Sequence, residues 1–287
     1  MTRPCRAVLG AFLLAVLAAL PVHQARAEQG VRVDLELLLA LDVSHSVTVE
    51  EHAAQINGLA AAFRHERLIS AIRNLPTGRA AVAVMFWAGP ENQVIAVPWT
   101  LIDGTESANG FADRVAAETE PPWDGLSFTA IGTALLRGAD EIDSNGYDGP
   151  RRIIDLSGDD PSNQGVKAAE ARDLVVLRGI VINGLPILQD RKEHEDRAEL
   201  VRYFETDVAG GVGAFVLPTL GFRDFPRAML AKLITEVSGR TPPVSAGHML
   251  ASAERDSTER DGAERDRPGG EQAADNRAAD NQARGEP

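Results

Sequence analysis

Cysteine is almost absent from this sequence. The only one, Cys5, precedes an apolar segment near the amino terminus and so cannot be a lipid-attachment residue following that segment. The rest of the chain has no thiol, which excludes disulfides, cysteine zinc sites and cysteine nucleophiles. Common catalytic motifs are missing as well: there is no H-E-x-x-H, no G-x-S-x-G, no G-x-x-x-x-G-K-[ST] and no G-x-G-x-x-G. Catalysis therefore has no visible base or nucleophile.

Basic residues are outnumbered, with 29 Lys and Arg against 42 Asp and Glu. Two of them, Arg3 and Arg6, precede the apolar run AVLGAFLLAVLAAL, and Pro21 and a small-x-small ARA follow it. This run is shorter than the roughly 20 residues of a membrane-spanning helix, so we interpret 1–27 as a secretory signal peptide, with an amino-terminal membrane anchor as the alternative. The expectation is a secreted or periplasmic protein with no stable membrane insertion after cleavage.

Cleavage would remove three basic residues and no acidic residue, which takes the formal charge from −13 to −16. An acidic surface of this kind repels phosphate groups, so it argues against binding of nucleic acid or of anionic lipid.

Apolar residues are scarce at the other end of the chain. Beyond Leu250 there is no Leu, Ile, Val or aromatic residue, and AERD, TERD and AADN recur loosely. Such a segment cannot bury enough apolar area to offset its ordering entropy, so we predict that residues 241–287 form a disordered, acidic low-complexity tail. A helix built on Glu-Arg pairs is the alternative, and the glycines and Pro268 count against it. Residues 30–240 remain as one globular unit.

Within this unit, short apolar runs alternate with amphipathic stretches. Nearly continuous apolar runs are typical of strands buried on both faces. The predicted strands lie near 35–43, 79–89, 93–102, 151–158, 179–188 and 213–219. Only a short link joins the second and third, which predicts an antiparallel hairpin, whereas the other connections are long enough for crossovers.

Helical patterns occupy the connections. Thr48 and Glu51 form a capping box, after which Ile56, Leu59 and Phe63 follow at helical spacing. Further helices are predicted near 107–118, 130–143, 162–177, 196–208 and 223–237. The predicted fold class is therefore α/β: a doubly wound, mostly parallel sheet with one antiparallel strand and helices on both faces.

Three oxygen-bearing side chains follow the first predicted strand at two-residue spacing: Asp42, Ser44 and Ser46. Ligand sites in such sheets collect at the carboxyl ends of strands. Two more residues are predicted at the same edge, because Thr129 lies at a loop-to-helix junction and Asp159 follows the fourth strand. Each also has a structural interpretation, as a turn residue or a helix cap.

With these residues in this order, the sequence resembles the von Willebrand factor A (vWA) domain over about residues 33–237. Asp42-Val43-Ser44-His45-Ser46 matches the D-x-S-x-S turn of its metal-ion-dependent adhesion site, and Thr129 is followed by the family spacing T-x-x-G-x-A-L. Asp159 matches the distant aspartate of that site. In finer detail, SGDDPSN and VINGLPIL resemble an uncharacterised family of secreted bacterial proteins related to the vWA domain.

An oxygen-only donor set selects Mg²⁺, with Mn²⁺ or Ca²⁺ as alternatives, over zinc or copper. We expect the three hydroxyls to bind the ion directly, and Asp42 and Asp159 to bind it directly or through water. The resemblance implies that an acidic side chain of a protein partner takes the remaining position. Asp160 departs from the family, which has glycine there. It either caps a following helix that begins at Pro161, which we favour, or adds negative charge that favours a larger cation.

Three more residues are candidates for the rim of this site: His45, Trp123 and Asn183. Trp87 and Trp99 are expected to be packing residues. Asp155 is unusual because it is a carboxylate within a predicted buried strand, and we expect a basic partner such as Arg151 or Arg152.

The leading functional hypothesis is a secreted, metal-ion-dependent protein-binding module without enzymatic activity. A metal-dependent phosphoester hydrolase is the first alternative, because some of these enzymes also carry an aspartate at the end of the first strand. Those hydrolases have a second acid two residues later, where this chain has Ser44. A structural domain without bound metal is the second alternative.

Overall fold

The computed structural model describes residues 30–123, 128–189 and 193–240. The predicted signal peptide and the predicted tail lie outside the described residues. Among the described residues, no helix is long and apolar enough to cross a membrane. The strands are β1 Val31–Arg32, β2 Leu35–Asp42, β3 Ala80–Trp87, β4 Gln93–Ile102, β5 Tyr147–Asp148, β6 Arg152–Gly158 and β7 Val181–Pro186. The helices are α1 Val49–Arg64, α2 Glu66–Arg73, α3 Thr105–Ala117, α4 Ile131–Asp143, α5 Ala168–Leu177, α6 His194–Tyr203 and α7 Gly221–Ser238, with a π-helical turn Phe204–Val208 after α6.

The main sheet has five strands in the order β4-β3-β2-β6-β7. The pairs β2–β3, β2–β6 and β6–β7 are parallel, and β3–β4 is antiparallel. The short link between β3 and β4 allows this hairpin, as predicted, whereas the parallel pairs are joined through helices. The predicted α/β fold class is confirmed.

The sheet is buried on both faces because its central strands β2 and β3 are almost continuously apolar: β3 has no polar residue, and β2 has only Glu36 and Asp42. Leu37, Leu39 and Leu41 pack with α1, α2, α3 and α7, and Leu38 and Ala40 pack with α4, α5 and α6 on the opposite face. Each leucine removed from water in this way contributes about 1.5–3 kcal/mol. The two apolar faces hold β2 in the middle of the sheet, and its last residue, Asp42, reaches the carboxyl edge.

The start of α1 is fixed by the predicted capping box. The Thr48 hydroxyl accepts a hydrogen bond from the Glu51 backbone N–H at 3.2 Å, and the Glu51 carboxylate accepts one from the Thr48 N–H at 2.9 Å. Both bonds satisfy N–H groups that a helix start leaves without partners. Because α1 begins at a defined residue, the turn between β2 and α1 is limited to residues 43–48.

Several predicted elements differ from the observed ones. The segment 213–219 is not a strand. It forms isolated bridges, from Val216 to Gly184 of β7 and from Thr219 to Ile187 just after β7, because Gly213 has a positive φ and Pro218 lacks an N–H for a continuous ladder. The predicted helix 162–177 begins only at Ala168. Sequence analysis missed α2 and the small parallel pair β1–β5.

Candidate metal centre

Asp42 lies at the end of β2 and is completely buried. Its Oδ1 accepts a hydrogen bond from the Ser44 backbone N–H at 2.8 Å, which closes the turn after the strand. Its backbone carbonyl accepts one from Gln55 Nε2 on α1 at 3.0 Å. Strand, turn and helix therefore all contribute to the orientation of this carboxylate.

The two serines connect Asp42 to the neighbouring strand. Ser44 Oγ and Ser46 Oγ are 3.1 Å apart, and Ser46 Oγ donates a hydrogen bond of 2.7 Å to Asp159 Oδ1. Asp159 follows Gly158, the last residue of β6, which pairs with β2 in parallel. The structure thus brings Asp42, Ser44, Ser46 and Asp159 into one continuous set of contacts at the carboxyl edge of the sheet.

Thr129 is linked to this set through the loop that follows Asp159. Its backbone carbonyl accepts hydrogen bonds from Asn163 N at 2.9 Å and Ser162 Oγ at 3.1 Å, while its backbone N–H donates to Asn163 Oδ1 at 2.9 Å. The next residue, Ala130, donates to the carbonyl of Ala88, just past the end of β3. Thr129 is buried and lies at the start of α4, at the same edge of the sheet as the other four residues.

The electrostatics of the site are dominated by crowded negative charge. Burial raises the pKa of Asp42 well above its ordinary value, and the nearby Asp159 and Asp160 charges raise it further, against the opposing hydrogen bonds from Ser44. Asp42 Oδ2 is buried and accepts no hydrogen bond from any residue that the structure describes. A buried carboxylate oxygen without a donor is costly, and a cation beside it would relieve that cost.

The donor types also fit a hard divalent cation. Carboxylate and hydroxyl oxygens form the shell that Mg²⁺, Mn²⁺ and Ca²⁺ prefer. Across the described ranges, no cluster of three or more His, Cys, Asp or Glu side chains could hold a metal, so hydroxyls would have to supply part of any coordination shell at this edge.

The residues predicted at the rim of the site differ in burial and in their contacts. His45 is exposed in the turn, and Asp160 is half-buried beside Asp159. Asp160 does not cap a helix, because the residues from Pro161 to Lys167 form an irregular loop whose polar groups bond to Thr129 and α5 starts at Ala168. Trp123 packs against the larger apolar cluster, which includes residues of α1 and α3.

Asn183 does not reach the rim. It lies inside β7, is 2% exposed, and bonds to Glu236 Oε1 and to the Phe215 N–H. Asp155 is buried as expected, but its basic partner is Lys232 of α7. Arg151 instead donates to carbonyls at the end of α7, and Arg152 forms an ion pair with Asp143.

Sequence reasoning missed Gln189, whose Nε2 donates to Asp159 Oδ2 from the segment after β7. It also missed Gln55, and Phe128, an exposed aromatic residue directly before Thr129. A polar residue on the buried face of α1 was the available signal for Gln55. Gln189 carried no such signal, because only the fold brings the ends of β6 and β7 together.

Solved structures to which this chain is similar include the proximal thread matrix protein 1 of the mussel byssus. One of its crystal structures, described with a zinc-occupied MIDAS motif, has a TM-score of 0.51 and 16% identity, and covers 73% of this chain and 49% of that chain. A second has a TM-score of 0.51 and 15% identity, with 73% and 48% covered. A von Willebrand factor type A structure from Catenulispora acidiphila has a TM-score of 0.46 and 16% identity, with 72% and 43% covered. The chain spans about half the length of the mussel protein.

The sheet order and the surrounding helices define a vWA-like α/β fold, as the sequence motifs indicated. More narrowly, residues 32–241 match the family described as "Protein of unknown function (DUF1194)", and the chain belongs to that family. No curated protein matches the sequence significantly.

Proposed function

We propose that this chain is a protein-binding module whose binding depends on a divalent cation at the edge of the sheet. Asp42, Ser44, Ser46, Thr129 and Asp159 would hold the ion. The observation that carries the proposal is the buried Asp42 Oδ2, which has no donor among the described residues, in a side chain that belongs to the same set of contacts as Ser44, Ser46 and Asp159. A cation at this edge would supply the missing partner.

The charge balance suits recognition of an acidic partner. Two carboxylates offset the charge of a divalent ion, so a third carboxylate, from a protein partner, would still find an attractive position. Mg²⁺ is the expected ion. If Asp160 adds its negative charge to the site, a larger cation such as Mn²⁺ or Ca²⁺ would be favoured instead. The zinc described in the MIDAS motif of the mussel protein supports a divalent ion in this class of site without fixing its identity here.

The cellular setting is part of the proposal. The leader pattern of residues 1–27 and the acidic composition support a secreted or periplasmic location, where a divalent cation and a protein partner are both accessible. Exposed Phe128, beside Thr129, would contribute apolar contact area around the carboxylate of the partner.

The test is calorimetric titration of the purified mature protein with Mg²⁺, Mn²⁺ and Ca²⁺. Asp42→Ala and Thr129→Ala, checked for folding by circular dichroism, are expected to abolish binding. Ser70→Ala is the matched control, because Ser70 is exposed on α2 and belongs neither to the proposed ligands nor to the residues that bond to them. A folded wild-type protein that binds none of the three ions would refute the metal site.

The enzyme alternative is tested on the same proteins. We expect no turnover of a chromogenic phosphate ester in the presence of Mg²⁺ or Mn²⁺. Metal-dependent hydrolysis that disappears in Asp42→Ala would contradict the binding-only proposal, since Asp42 would then act on a substrate.

A further inference from the structure

A second group of charged side chains lies inside the core, away from the metal centre. Lys232 of α7 is completely buried, and Asp155 of β6 and Glu236 of α7 are each 2% exposed. Apart from Asn183, the side chains around this group on the face that packs against α1, α2, α3 and α7 are mainly apolar, with Leu37, Leu39 and Leu185 among them. Several kcal/mol per ion is the usual cost of holding charges in such surroundings.

The amine and the carboxyl group of Asp155 are in close contact. Lys232 Nζ lies 2.5 Å from Asp155 Oδ1 and 2.6 Å from Glu236 Oε1. Neither Asp155 oxygen accepts a hydrogen bond from the described residues. The amine is therefore close to the carboxylate but is not aligned with it as in an ordinary hydrogen-bonded ion pair. The contact therefore places a nucleophile against a carboxyl group in a site from which water is excluded.

We propose that Lys232 and Asp155 join in an intramolecular isopeptide bond, formed by the folded protein itself. Transfer of a proton from Nζ to the Asp155 carboxylate gives a neutral amine and a neutral acid. The Nζ lone pair then attacks Asp155 Cγ, the Nζ–Cγ bond forms, the Cγ–OH bond breaks, and one water leaves carrying the hydroxyl and a proton from Nζ. Two buried charges become one neutral amide, and neither an oxidant nor an activated donor is needed.

The geometry of the site favours this condensation, which does not proceed readily between free groups in water. Reacting groups held at contact distance react as if at very high concentration, and an enclosed apolar site disfavours hydrolysis of the product. The Phe215 ring, with its centroid 5.2 Å from Lys232 Nζ, covers the amine on one side.

Glu236 is placed to move the protons. Its Oε1 contacts Nζ, and Asn183 Nδ2 donates to the same oxygen at 2.7 Å, which fixes the carboxyl group. Burial, and secondly the charge of Asp155, raise the pKa of Glu236 to about 8, against the opposing effect of Lys232. A carboxyl group that holds its proton near neutral pH can give that proton to the leaving hydroxyl and then take one from the amine.

The experiment is mass spectrometry of the purified mature protein. The link predicts an intact mass lower than the sequence mass by one water. It also predicts a cross-linked tryptic pair that joins residues 153–167 to residues 228–240, with Lys232 uncleaved. A wild-type protein at full sequence mass, in which trypsin cuts after Lys232, would overturn the proposal without the need for any variant.

Two further results test which residue accepts the link and whether Glu236 takes part in its formation. Loss of one ammonia with linkage to residues 179–191 would make Asn183 the acceptor and overturn the assignment to Asp155. Glu236→Gln, checked for folding, is expected to keep full mass, and a Glu236→Gln protein that is fully linked would refute the role of Glu236. Glu199→Gln, an exposed change on α6, is the matched control and is expected to be linked like the wild type.

Discussion

Ser46 Oγ donates a 2.7 Å hydrogen bond to Asp159 Oδ1, which joins the turn after β2 to the end of β6 across 113 positions of sequence. Because β2 and β6 are parallel neighbours, both residues reach the same edge of the sheet. A hydroxyl that donates its proton to a carboxylate keeps its own lone pairs available. Ser46 can therefore bind a cation through oxygen while Asp159 still orients it.

This relationship predicts the behaviour of Ser46→Ala. Loss of the hydrogen bond is expected to lower the free energy of unfolding of the metal-free protein by about 1 kcal/mol. The rise in melting temperature on addition of Mn²⁺ is expected to disappear, because one ligand is lost. Thermal unfolding with and without Mn²⁺ measures both effects, with Ser70→Ala on the exposed side of α2 as the control. An undiminished Mn²⁺ effect in Ser46→Ala would exclude Ser46 as a ligand.

Gln189 is expected to tune the cation affinity without touching the ion. Its amide donates to Asp159 Oδ2, so Gln189→Met would leave that carboxylate less well oriented. Loss of such an outer hydrogen bond typically weakens metal affinity by about 10- to 100-fold. Calorimetric titration measures the change, and Gln164→Met, an exposed change in the β6–α5 loop, should leave the affinity unaltered. Equal affinities in the two variants would contradict this role.

Gly132 is expected to tolerate no side chain. A Cβ atom there would lie 2.2 Å from the Val166 carbonyl oxygen and 2.9 Å from that of Lys167, both backbone atoms. Gly132→Ala should therefore lower the free energy of unfolding by about 3 kcal/mol, at the upper end for overpacking. In α3, Gly110→Ala meets no atom within 4 Å and should raise stability by about 0.5–1 kcal/mol. Denaturant unfolding compares them, and similar stabilities would contradict the packing argument.

The raised pKa of Glu236 predicts that the free energy of unfolding depends on pH. Its pKa is about 8 in the folded protein and near 4.5 when unfolded, so the folded state binds more protons between these values. Stability from this group is therefore present below pH 4.5 and is lost as the pH rises to about 8, by at most about 1.4 kcal/mol per pH unit. Denaturant unfolding from pH 5 to 8 should show a shallower decline in Glu236→Gln than in the wild type. The comparison uses the slope of the free energy of unfolding against pH rather than its absolute value, because the variant is also expected to lack the cross-link. Identical slopes in the two proteins would contradict the prediction.

The local sequence was sufficient to predict those elements whose stabilising contacts lie within a few residues of one another. The capping box at Thr48 and Glu51 is confirmed because both partners lie within one helical turn. The β3–β4 hairpin is confirmed because a short link permits only an antiparallel return. The segment after Asp160 was misjudged, since Pro161 suggested a helix start whereas the loop is held by its bonds to Thr129.

Residues buried by distant partners were not predictable in the same way. Asp155 was recognised as anomalous, but its partner was sought among sequence neighbours rather than on α7. Asn183 was expected at the sheet edge, and instead its side chain bonds to Glu236 in the core. In both cases the partner is supplied by α7, whose docking depends on the packing of the whole helix.

The sequence by itself determined the five strands of the main sheet, their alternation with helices, and the set of oxygen donors that follows β2. These follow from apolar run length, turn chemistry and residue type, which act over a few positions. Only the tertiary structure decided that Ser46 meets Asp159, that Gln189 orients that carboxylate, and that Lys232 is buried against Asp155. Such contacts depend on strand order and on the seating of α7, and both are set by burial of apolar area summed over the whole domain.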